Sequence, residues 1–252
     1  MLSMLAIALT GCGHATAPPG DGFDSFGSRH AARPDRPQPP PRPQFERPAS
    51  VRFHMERHFD DLRVVEELLV AGQFDDARTR AFLLTKPASD PGMAAWDDDS
   101  RRVVEAAIAL TKASRTDEAC RRAARVAKAC ADCHVHVQKL PMFRASPALP
   151  PDEATADARM ARHQWAVDRL WEGMLGASDQ RWYAGLEVLG RTPLPFSPQR
   201  DAIGLANHLQ QLARDAQTKR GSETLDSRAT VYGEILVTCA ACHSTLGARV
   251  RR

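Results

Sequence analysis

The chain of 252 residues is notable first for what it lacks. No basic block with interleaved aromatics occurs, and the formal charge is only +3, so nothing argues for a nucleic-acid partner. No apolar run approaches the ~20 residues that a membrane-crossing helix needs. Strand-like alternation of apolar and polar residues is absent beyond residue 50, which argues against a sheet-based fold. There is no Gly-rich loop, no Ser/His/Asp arrangement and no constellation of charged side chains that would suggest group-transfer or hydrolytic catalysis. What remains is an ordinary globular composition, 43% apolar and 26% charged.

Against that background one pentapeptide pattern, Cys-x-x-Cys-His, occurs twice. It is Cys130-Ala131-Asp132-Cys133-His134 and then Cys239-Ala240-Ala241-Cys242-His243. This is the c-type haem attachment signature. Its chemistry explains the spacing: two thiols add across the two vinyl groups of one porphyrin, and the adjacent imidazole becomes an axial ligand of the iron. The expectation is two covalent haems, attached through Cys130, Cys133, Cys239 and Cys242, with His134 and His243 on iron. A thioredoxin-like reading needs a βαβ context that is missing here. A zinc site built from both motifs would leave two spare histidines, each flush against a cysteine.

The chain starts with an apolar run ending in Leu9-Thr10-Gly11-Cys12. This ending resembles the bacterial lipobox, whose cysteine is lipid-modified, although no Lys or Arg precedes the run. Residues 1–12 read as a lipoprotein signal segment, too short to span a bilayer. Lipid on Cys12 would anchor the protein to a membrane surface. Export to the bacterial cell envelope, facing the periplasm or the exterior, suits a protein that acquires c-type haem. Of six cysteines, only Cys120 then has no role; among alanines on an expected helix it reads as a small buried residue. No cysteines remain for disulfides.

Residues 13–50 are rich in Pro, Gly, Arg and Asp, including Arg36-Pro37-Gln38-Pro39-Pro40-Pro41. Such composition cannot bury a core and reads as a disordered tether. Beyond it the chain repeats. Met55-Glu56-Arg57-His58 recurs as Met160-Ala161-Arg162-His163, and each copy ends at its cysteine motif. Apolar spacing such as Leu62, Val65, Leu68, Leu69 predicts amphipathic helices. They are placed at about 51–71, 74–85, 94–114 and 117–137, then at about 154–175, 178–190, 198–218 and 223–246. The expected fold is all-α: two tandem antiparallel four-helix bundles, 51–140 and 154–252, joined by a proline-rich linker, 141–153.

The position of the motifs decides which cytochrome this pattern resembles. In small globular cytochromes c the motif lies early and most of the fold follows it, whereas only nine residues follow His243. The late motif and the count of four helices per copy resemble the cytochrome c-prime group, four-helix bundles with haem on the last helix. The chain differs from that group in carrying Val137-Gln138 and Leu246-Gly247 where an aromatic and a basic residue commonly follow the haem histidine.

In an antiparallel bundle the start of the first helix lies beside the end of the fourth. Residues three apart share a helix face, so His58 or Met55 could close the sixth iron position opposite His134, and His163 or Met160 opposite His243. Imidazole is the preferred choice, with an open or water-bound iron as a further alternative. Two closed haems describe an electron carrier and not an enzyme, working between redox partner proteins at a membrane surface. An iron left open would instead describe a haem enzyme or gas-binding protein acting on peroxide or nitric oxide. Phe59 follows His58 but Gln164 follows His163, which leaves room for asymmetric roles.

Overall fold

The apolar positions of the repeat do form helices. A computed structural model describes residues 49–86, 91–193 and 200–247. The lipobox, the tether up to residue 48, parts of both proline loops and residues 248–252 lie outside the described residues. Eight α-helices occur among the described residues, and no strand. The first four are α1 (Ala49–Val70), α2 (Phe74–Ala81), α3 (Asp97–Thr111) and α4 (Thr116–His136). The second four are α5 (Ala156–Leu175), α6 (Asp179–Arg191), α7 (Arg200–Thr218) and α8 (Leu225–Leu246). None of the described helices is long and apolar enough to cross a membrane.

Local chemistry sets the boundaries. Gly72, at φ +75°, closes α1 in a turn that side chains with a Cβ avoid. The expected helix over 74–85 tightens instead into a 3₁₀ turn at Phe82–Thr85, and a second 3₁₀ turn, Pro91–Trp96, leads into α3. Asp97, Asp98 and Asp99 then occupy the first turn of α3, where the helix dipole favours negative charge. α8 opens with a reciprocal capping box between Thr224 and Ser227, and ends on Gly247 in the left-handed region.

The two runs of four helices share one continuous core, which draws on α1 to α8 without a break at the linker. Its centre is the packing of α4 against α8. Arg121 pairs with Glu234 at 2.6 Å, and Lys128 reaches Asp226 at 3.5 Å. Moving forward on one helix moves back on the other, so α4 and α8 run antiparallel. Small residues allow the close approach: Ala123, Ala124 and Ala127 on α4, Ala229 and Gly233 on α8. A Cβ added at Gly233 would sit 3.1 Å from the Arg121 Cα. α8 is apolar around most of its circumference because α1, α4, α5 and α7 all surround it.

The linker is packed rather than free. Phe143 meets Phe59 of α1 with ring centroids 5.8 Å apart, touches the position of Gly176 and lies under the Arg181 guanidinium. Trp165 donates its indole N–H to the Pro147 carbonyl, and Arg181 donates to the Arg144 carbonyl.

Candidate functional site

Each Cys-x-x-Cys-His motif occupies the last turns of a helix, the first on α4 and the second on α8. An α-helix brings residues i, i+3 and i+4 onto one face. Cys130, Cys133 and His134 therefore share a face of α4, as Cys239, Cys242 and His243 do on α8. Cys133 and Cys242 are buried, while Cys130 and Cys239 are half-buried at the rim of the core. Burial pushes the Cys130 thiol up to about 12, with the neighbouring Cys133 adding to it. Cys239 likewise rises to about 12, through burial first and then through Cys242, Cys120 and Glu66. The thiols are thus protonated at neutral pH. All are free of disulfides.

The two histidines differ. His134 places Nδ1 2.7 Å from the Lys139 carbonyl oxygen. A carbonyl only accepts, so Nδ1 carries a proton, the arrangement that leaves Nε2 as the nitrogen to face a metal. His243 lies beside the Val70 carbonyl at the end of α1. Its Nδ1 is buried without a hydrogen-bond partner, and burial lowers its affinity for a second proton. These donor sets fit a covalent haem: two un-ionised thiols and one imidazole on a common helix face, with an orphaned imidazole nitrogen at the second.

The antiparallel register holds the motifs apart. The residue facing Cys130 across the seam falls near 224–225, and Cys239 lies some fifteen positions further along α8, about 22 Å at 1.5 Å per residue. Four thiolates cannot converge on one ion in this arrangement. Among the described residues, no group of three or more His, Cys, Asp or Glu side chains is placed to hold a metal ion.

The first-helix histidines are engaged elsewhere than with the motif histidines. His58 packs on His54, ring centroids 4.0 Å apart, and burial lowers it to about 4, with His54 and Arg57 adding to the effect. His163 is buried, with Nε2 3.2 Å from the Thr192 carbonyl oxygen. Met55 is half-buried and Met160 exposed. Cys120 is fully buried, as its alanine-rich surroundings suggested. His208 is exposed.

Two arrangements escaped the reading of the sequence. Asp99, only 3% exposed, accepts from Arg102 and lies 2.7 Å from His136 Nδ1, beside the first motif. On the other side of the molecule, Tyr232 of α8 donates its hydroxyl to Glu66 of α1 at 2.5 Å, both side chains being buried. A bare carboxyl on the core side of an amphipathic helix is the only signal that could have found Glu66. No protein-family model, curated protein or solved structure matches this chain.

Proposed function

We propose that the chain is a di-haem c-type cytochrome that carries electrons between redox partner proteins. The observation that carries this reading is the pair of motifs at helix ends, each presenting two protonated thiols and an imidazole on one face. Cys130 and Cys133 would hold one haem and Cys239 and Cys242 the other, with His134 and His243 on the iron. The haem supplies reversible one-electron chemistry when bound. The protein's own residues set its surroundings. The Lys139 carbonyl orients the His134 ring, and the Val70 carbonyl lies beside His243 at the second site. His58 and His163 remain the preferred sixth ligands, reached by rotation from their contacts with His54 and Thr192. The division into two four-helix bundles of the cytochrome c-prime kind belongs to the same proposal, as do lipid attachment at Cys12, export to the cell envelope and anchoring at a membrane.

The test is the full chain expressed in a host that matures c-type haem. The intact mass should exceed that of the apo-chain by two porphyrins. Low-spin electron paramagnetic resonance signals from both centres are expected, and replacing His58 or His163 singly should turn one centre high-spin. A mass without porphyrin overturns the proposal. A centre that is high-spin in the unaltered protein and binds carbon monoxide when reduced replaces the electron carrier with a haem enzyme or gas binder.

A further inference from the structure

Among the described residues, Glu66–Tyr232 is the one buried acid–hydroxyl contact that joins the two halves of the chain, 166 residues apart. Glu66 is 7% exposed and Tyr232 is fully buried. Among the described residues, no cation is hydrogen-bonded to the carboxyl. Its charged and titratable neighbours are known from each packed element. On α1 they are Arg63 and Glu67, on α5 Asp168, and on α8 Tyr232 and the attachment residue Cys239. Arg63 is itself drawn to Glu67 at 3.4 Å and Asp168 at 3.8 Å. Arg80 of α2 is taken by Asp61, at 2.5 Å. α4 contributes the buried thiol of Cys120 beside Cys239. A carboxylate in this place would therefore be buried, with a hydroxyl as its one hydrogen-bond donor and with two further acids nearby. A positive charge appearing at the second motif would favour it directly.

We propose that Glu66, held by Tyr232, is a redox-linked proton site for the haem at Cys239 and Cys242, an inference that rests on the function proposed above. When that site gives one electron to a redox partner protein, the O–H bond of the Glu66 carboxylic acid breaks and its proton passes to solvent. The added positive charge at the site is balanced by the new carboxylate. Reduction by a partner reverses both transfers. The first motif lacks this pair: position 123 of α4, the counterpart of Tyr232 seven residues before the first cysteine, is alanine, and the buried acid near that motif, Asp99, is paired with Arg102 and His136 instead. Only one of the two centres is coupled in this way. The poise suits physiological pH, since burial raises Glu66 to about 8, the Tyr232 hydrogen bond and Arg63 acting to lower it and Asp168 and Glu67 to raise it.

The experiment is a spectroelectrochemical titration of the full-length haem-loaded protein between pH 5 and 9, with haem content measured on every sample. One midpoint potential should fall as pH rises, at up to tenfold in the redox equilibrium per pH unit, about 59 mV for one electron. The other should stay nearly flat. Glu66→Gln should abolish the slope while retaining both haems, and should delete a protonated-carboxyl band from the infrared redox difference spectrum. Tyr232→Phe provides a second reading: losing the donated hydrogen bond should move the sloping region to higher pH. An undiminished slope in Glu66→Gln, or an unmoved region in Tyr232→Phe, with two haems present, overturns this inference alone. Absence of haem from the unaltered protein overturns the proposed function as well.

Discussion

At the scale of single residues, the physics of Glu66 makes a claim about stability that needs no haem. Its affinity for a proton is raised in the folded chain, first by burial, from the ordinary carboxyl value of 4.5 to about 8. The folded state thus binds the proton more tightly than the unfolded state. The associated stability is fully present below about pH 4.5 and is lost as pH rises towards 8. Denaturant unfolding should show that loss across this window, and Glu66→Gln should flatten it; an unfolding midpoint that follows pH equally in both proteins would refute the assignment. Residue-scale chemistry was only partly legible in the sequence. The cysteine motifs announce themselves because their three reactive residues lie within five consecutive positions. Tyr232 and Glu66 do not, because the contact depends on how α1 crosses α8. His163 shows the same limit: its repeat position was visible, but the Thr192 carbonyl that occupies it was not.

At the scale of elements, helix existence was readable and helix partnership was not. The expected span 117–137 became α4, Thr116–His136, and 198–218 became α7, Arg200–Thr218. Period and punctuation suffice for that. Periodicity shows that a helix has an apolar face, not which helix covers it, so the α4–α8 seam was invisible. The α5–α6 pair makes the point sharply. Gly173 lies so close to α6 that an added Cβ would stand 2.5 Å from the Trp182 backbone nitrogen, and Gly185 would meet the Ala166 carbonyl oxygen at 2.6 Å. Replacing a mid-helix glycine by alanine gains up to about 1 kcal/mol in helix propensity. Forcing the helices apart costs about 1–3 kcal/mol, and the obstacle here is backbone that cannot swing aside. Gly173→Ala should therefore be destabilising on balance, read as a lower denaturant midpoint. An unchanged or higher midpoint would show that α5 and α6 can separate without loss.

At the scale of the whole molecule, the repeat in the sequence suggested two bundles side by side, each with its own interior. The described helices of both copies contribute to one continuous core, within which α4 packs against α8. The linker reinforces this through Phe143, which touches Phe59 on one side and Arg181 on the other. Scanning calorimetry of the full chain should give one cooperative transition with matching calorimetric and van't Hoff enthalpies. Two resolved transitions would return the molecule to a pair of independent bundles.

If haem attaches as proposed, the burial of Cys133 and Cys242 imposes a schedule on the making of this protein. A sulfur sealed under neighbouring helices, and kept protonated there, is a poor target for any attacking or attaching reagent. On the proposed function, porphyrin would have to meet these thiols while the polypeptide is still open. Maturation would then come before closure, and a chain that closed too early would lock its proposed attachment points away.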